Sequence, residues 1–354
     1  MFALATLVFA ACSDDHAISD GNSDVVTDPS GDAWVALNIK TPAAVTRGLN
    51  IPNQENAITG EYEIEDVKAI FFDGDQDASL VTKVIDLSTG SGDLTSSGAS
   101  SSSKAFQIPA TSKTILIIAN PGTGFSSVGE GSSFVDVNKA VKDESITTSV
   151  AKNRNTFLMT NSKGHLEPSD NSGNTINLTL YKSQDVAVKN PLAIYIDRVV
   201  AKVRVYTSDG AMDNSTASIY SPKWILNVTN KWYYPVSRRI KTWNEDPANT
   251  PDARGTCVTP FDRYEIGSYR VDPNYNNTNI GEWNEANQVA YTNNYNFVSA
   301  STNASAISWN EISSASNPVT EYCLENTQEK EYNNHAYTTQ VLLQANFAPK
   351  KLKS

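Results

Sequence analysis

Apolar and polar residues alternate with a period of two over many short stretches of this chain, the mark of strands with one face buried and one wet. The first is Trp34–Thr41, where Val35, Leu37 and Ile39 share one face and Ala36, Asn38 and Lys40 the other. Ile64–Phe72 and Leu80–Leu87 predict two more strands around the Asp/Gly-rich turn DGDQD. Gly90–Ser103 reads as a Ser/Gly loop. Ala105–Ile108 and Thr114–Ala119 follow; the second, TILIIA, is apolar throughout and predicts a central strand buried on both faces. Asn120-Pro121-Gly122 stops it.

Further along, Phe134–Val141 predicts one short helix, and Thr156–Thr160 and Thr175–Tyr181 two strands. Ala193–Thr207 carries the longest strand pattern, so a domain boundary is placed just before it, near Asn190-Pro191. Trp224–Thr229, Tyr322–Leu324 and Thr338–Phe347 are later strands. Asp272–Pro318 is dense in Asn, Ser, Tyr and Trp with little periodicity and reads as long loops. With no long amphipathic pattern anywhere, the fold class is all-β: two β-sandwich domains in tandem, residues 34–190 and 191–354.

Composition narrows the function. The 354 residues suffice for two cores. Charged residues are 19% and apolar ones 39%, with abundant Ser, Thr, Asn and Gly, a composition of water-facing strands and loops. A net charge of −11 repels phosphate backbones and anionic headgroups, which argues against nucleic acid as a partner.

The chain opens on MFALATLVFAA, an uncharged apolar run too short to span a bilayer. Residues 1–11 are read as the remnant of a signal peptide without its basic beginning. Cys12 follows two small residues, the arrangement a lipoprotein signal peptidase requires, so Cys12 is the expected lipidation site and outer-membrane anchor; an ordinary secretory signal with a chance cysteine is the other reading. Ser13, Asp14 and Asp15 resemble the surface-export signal of Bacteroidota lipoproteins; a merely solvated start to the tether is the other reading. Residues 12–33 form the lipidated flexible tether. Cys257 and Cys323 remain in the mature body. Outside the cytoplasm they can pair, closing a loop worth about 4 kcal/mol, or be buried separately.

Catalytic and metal-binding chemistry is sparse. His165 and His335 sit in turn-like contexts, and neither a nucleophile elbow nor a zinc helix is present. Asp73, Asp75 and Asp77 match the opening ligands of a calcium loop, but Ala78 replaces the required Gly and Val84 the closing Glu. A plain hairpin turn is the reading, with no metal and no cofactor expected. Tyr269, Tyr275, Trp283, Tyr291, Tyr295 and Trp309 either plug the core or, if exposed, stack on sugar rings.

Several segments, in order, resemble the FimA/Mfa-type fimbrillin family, the subunits of type V pili of Bacteroidota. They are VALNIKTP…TRG, KAIFFDGDQDASLVTKV, ILIIANP, FLMTNS, IYIDRVVAKVRV, WILNVTNKWYYPV, EYCLENT and TTQVLLQANFAPK, from Trp34 to Pro349. The resemblance implies transthyretin-like sandwiches, a non-enzymatic cell-surface fimbrial role in adhesion, and other fimbrial subunits as head-to-tail partners. It also implies proteolytic maturation at Arg47-Gly48 in AAVTRGLN. Removal of the first strand would then empty a groove filled by Val35, Leu37 and Ile39, to be refilled by a neighbour's strand. The polymer account takes Trp34–Thr41 for a removable edge segment; a place outside any sheet, or locked between two other strands, would overturn it. Family donor strands come from the C-terminus, whereas this chain stops soon after ANFAPKK, so the second sandwich is expected to be incomplete. The alternative is a monomeric or tip lipoprotein adhesin that keeps its first strand and binds glycan or host protein.

Overall fold

A computed structural model describes residues 24–41, 60–122, 125–139, 141–142, 151–152, 156–162, 178–207, 217–236, 238–240, 267–269, 272–274, 292–298, 308–314, 319–326 and 337–350. The fold is all-β. Its first strands are β1 (Asp32–Val35), β2 (Leu37–Lys40), β3 (Asp66–Phe72), β4 (Val81–Ser88), β5 (Leu94–Ser97), β6 (Ser100–Ser103), β7 (Phe106–Pro109) and β8 (Thr114–Ala119). A four-residue helix α1 (Phe134–Val137) precedes β9 (Met159–Thr160), and helix α2 (Gln184–Lys189) precedes β10 (Leu192–Tyr195) and β11 (Asp197–Arg198). Beyond them lie β12 (Ala201–Arg204), β13 (Ala217–Asn227), β14 (Asn310–Glu311), β15 (Thr320–Cys323) and β16 (Gln340–Pro349).

Two sheets face one another across the main core. One runs β11-β9-β8-β3-β4, the other β10-β2-β6-β5. β8 lies inside the first and is buried at every residue, as its unbroken apolar run requires. Leu37, Ile39, Leu94 and Ile194 meet Ile70, Phe71, Ile117 and Met159 in one apolar cluster. Two asparagines hold the inner sheet where strands run out. Asn161 extends the ladder of β9 with its side chain: Ile117 N–H donates to Oδ1 at 2.8 Å and Nδ2 donates to the Ile115 carbonyl at 3.0 Å. Asn120 turns the chain at φ 53° and binds three backbone groups at two other strand ends: Glu65 N–H donates to Oδ1 at 3.0 Å, and Nδ2 donates to the carbonyls of Glu63 and Phe157 at 2.9 and 2.8 Å.

The structure departs from the sequence reading in several places. Gly90–Ser103 is no open loop: it forms the β5–β6 hairpin, in which Ser96 and Ser101 exchange a hydroxyl bond at 2.8 Å. The long pattern of Ala193–Thr207 breaks into short strands, and β10 and β11, assigned to the second unit, pair with β2 and β9 of the first. Trp34–Thr41 breaks at Ala36, where it passes from β7 to β6.

The later strands pair β12 with β15 and, in a second set, β14-β13-β16. β16 pairs only with β13 among the described residues and leaves Leu343 and Phe347 exposed on one face.

Replacing Asn120 by Ala would orphan these three backbone groups and force Ala into the left-handed region. The loss should be about 3 kcal/mol, read as a lower urea midpoint at unchanged slope.

Candidate functional site

The candidate site is the slot that holds the first segment. Val35, Leu37 and Ile39, the predicted groove-filling residues, are all buried against the inner sheet, together with Ala33. Their backbone is engaged along both sides. On one side β1 runs antiparallel to β7, Leu37 N–H donates to Ser103 Oγ at 2.9 Å, and β2 runs antiparallel to β6. On the other, Trp34 and Tyr181 exchange N–H to carbonyl bonds at 2.8 and 2.9 Å, Leu192 N–H donates to the Ala36 carbonyl at 2.7 Å, and β2 runs parallel to β10.

The expectation of an edge segment is therefore wrong. Tyr181 and β10 arrive on the outer side, and their contact is long-range, so no local pattern announces it. Burial of Val35, Leu37 and Ile39 contributes on the order of 5–9 kcal/mol. That is comparable to the whole stability of a domain, so the uncut segment has no independent freedom to leave. Neighbouring strands lie about 4.8 Å apart, so the flanking strands would face each other at roughly twice that distance if it left, too far to bond one another.

The segment's outer face is more varied. Asn38 Oδ1 accepts from Ser100 Oγ at 2.7 Å. Lys40 Nζ reaches the Tyr195 hydroxyl at 3.2 Å and lies 5.0 Å from its ring centroid. Ala36 is buried in a small separate cluster with Ala105 and Ala187 of α2, beside Trp34 and Tyr181.

A second feature near the slot was not legible in sequence. Glu61, buried, joins the strap before β3 to the later strands. Its Oε1 lies 3.0 Å from Lys202 Nζ on β12 and accepts from the Tyr322 hydroxyl at 2.7 Å on β15. Arg198 donates to its carbonyl at 3.1 Å. Phe157 and Tyr322 pack beside this clasp with ring centroids 4.8 Å apart. Nothing in EYEIED marks one carboxylate for burial.

Of the other candidates, Cys12, Arg47, Gly48, Cys257, His165 and His335 lie outside the described residues. Cys323 is a free, buried thiol whose pKa is pushed up to about 11, first by burial and then by Glu325. Two carboxylates of the DGDQD turn are engaged locally. Asp73 Oδ1 accepts from Leu80 N–H at 2.8 Å and Asp75 Oδ1 from Gln76 Nε2 at 2.8 Å. Tyr295 is buried and packs on Tyr337 at 6.2 Å, as a core plug rather than a sugar platform.

No family model and no curated protein matches the chain. Solved structures similar to it include a candidate cell adhesion protein of Parabacteroides distasonis, at 11% identity and TM-score 0.42 over 90% of this chain and 76% of that one. Another, from Bacteroides eggerthii, is similar at 12% identity and TM-score 0.32, over 90% and 79%. The tip fimbrial protein Mfa3 of Porphyromonas gingivalis, with its C-terminus truncated, is similar at 16% identity and TM-score 0.33 over 58% of each chain. These structural neighbours are thus cell adhesion and fimbrial proteins of Bacteroidota.

Two outcomes follow for these residues. Leu37→Ala should lower stability by about 2–5 kcal/mol in urea titration, while Lys40→Ala should change it by less than about 1 kcal/mol. Because the Cys323 thiol titrates higher in the folded chain than its ordinary value of 9.0, its contribution is full below pH 9 and is lost as pH rises through about 11. Thiol alkylation at pH 8 should accordingly spare Cys323 until the chain is unfolded.

Proposed function

We propose that the chain is a structural subunit of a cell-surface fimbria that contributes to adhesion and reaches the outer membrane as a lipoprotein through Cys12. The observation that supports this reading is the first segment: a short stretch near the start of the chain whose Val35, Leu37 and Ile39 fill the main core. The resemblance of the sequence to fimbrillins agrees with it. The edge-segment form of the polymer account falls with the pairing of β2 on both sides, and exchange through an interior slot is proposed in its place. Because the segment is interior, strand exchange requires cleavage at Arg47-Gly48 first, and an arriving strand must replace two sets of backbone bonds as well as the apolar face. Repetition of that contact head to tail gives an open filament. The organisation into two sandwiches belongs to the same proposal.

The double pairing also favours a second reading, in which the segment is never released and the protein is a surface adhesin acting as a monomer or at a tip.

Treatment with an arginine-specific protease followed by N-terminal sequencing separates the two. A new N-terminus at Gly48, with higher oligomers on a denaturing gel after mixing with a full-length fimbrial subunit, is the expected result. An Arg47 bond that stays intact while other arginines are cut, or a cut segment that no subunit displaces, would leave the adhesin reading.

A further inference from the structure

The slot selects its strand by a small residue at one outward position as well as by the apolar residues facing in. Val35 and Leu37 point into the main core, whereas Ala36, between them, points the other way and is buried against Ala105 and Ala187. Helix α2 thus roofs the outer side of the segment at this point. Its neighbours along the same face, Asn38 and Lys40, are only half-buried. All three cluster members are alanines, each 9% exposed or less, so a larger side chain at position 36 meets closely packed atoms.

We infer that α2 is a register key: it admits only an extended segment with Ala, Gly or Ser beneath it, flanked on either side by large apolar residues that face the core. This rests on the strand-exchange reading above and names the class of partner strand it would take. The segment Asp32–Thr41 is the occupant that shows the fit. Side chains alternate, so a slip of one residue would put Val35 or Leu37 under the roof and polar residues in the core. A slip of two would put Trp34 or Asn38 there. Both are excluded by size, so one register survives.

The rule excludes the chain's own late strand as an occupant. In β16 the apolar face is Val341, Leu343, Ala345 and Phe347, and the residues between them are Leu342, Gln344, Asn346 and Ala348. Ala345 and Ala348 are small enough for the roof. Ala345 there sends Gln344 and Asn346 into the core, and Ala348 there sends Lys351 into the core at the position of Ile39 or, with the strand reversed, of Ala33. On this ground the chain accepts a strand at the slot but does not donate β16.

The test uses the full chain after limited nicking at Arg47, with labelled ten-residue peptides matching Asp32–Thr41. The unaltered peptide and its Ala36→Gly form should be taken up. Ala36→Leu should be taken up at least tenfold less, and Asn38→Leu, which adds an apolar side chain two places on, close to normally. A longer peptide, Gln340 to Lys351, should not be taken up. Equal uptake of the Ala36→Leu and unaltered peptides would overturn the inference. If no peptide enters, the exchange reading fails, and the key is then judged in the uncut chain. There Ala36→Leu should lower the melting temperature and Asn38→Leu should not; equal melting temperatures would overturn it.

Discussion

The fold turns on main-chain pairing of one short segment along both of its sides. Asp32–Thr41 receives β7, Ser103 and β6 on one flank and Tyr181, Leu192 and β10 on the other. Without it, the sheet β10-β2-β6-β5 would fall into β10 on one side and the β5–β6 hairpin on the other. The inner sheet would keep its own ladders but lose Val35, Leu37 and Ile39 from the layer above Ile70 and Ile117. A backbone group cut off from both water and partner costs more than a lost contact, so such a slot is unstable empty. That instability is what any exchange mechanism would draw on, and what holds the segment in place while the chain is intact.

The strands themselves were legible because their patterns are local. β3, β4, β8 and β16 fall where alternating or continuous apolar runs place them. The β5–β6 hairpin was missed because its stability comes from serine hydroxyls and from its place beside β2, and serines carry no strand signal. The inward direction of Val35, Leu37 and Ile39 could be read from parity alone. Whether the segment sat at an edge or in the middle could not, because that depends on β10, more than 150 residues away.

The same distinction separates the asparagines from their neighbours. Asn120 sits in an Asn-Pro-Gly sequence that announces a turn, yet its bonds to Glu63, Glu65 and Phe157 are fixed by where two other strand ends arrive. Glu61 is similar. A single carboxylate in a short acidic stretch reads as surface charge, and only the approach of Lys202 and Tyr322 makes its burial tolerable. The clasp joins the strap before β3 to β12 and β15, and Phe157 and Tyr322 continue it as apolar contact. The described part of the chain has one large core reaching from Ala33 to Leu324, with Tyr233 and Val236 among its members.

The parallel run of β2 against β10 bears on mechanics. Two strands pulled lengthwise past each other load their cross-bonds together, whereas strands peeled from one end lose them singly. Tension applied along the axis of β2 would meet the first arrangement on both flanks at once. Loaded in that way, the joint would resist far more force than the same bonds broken one at a time.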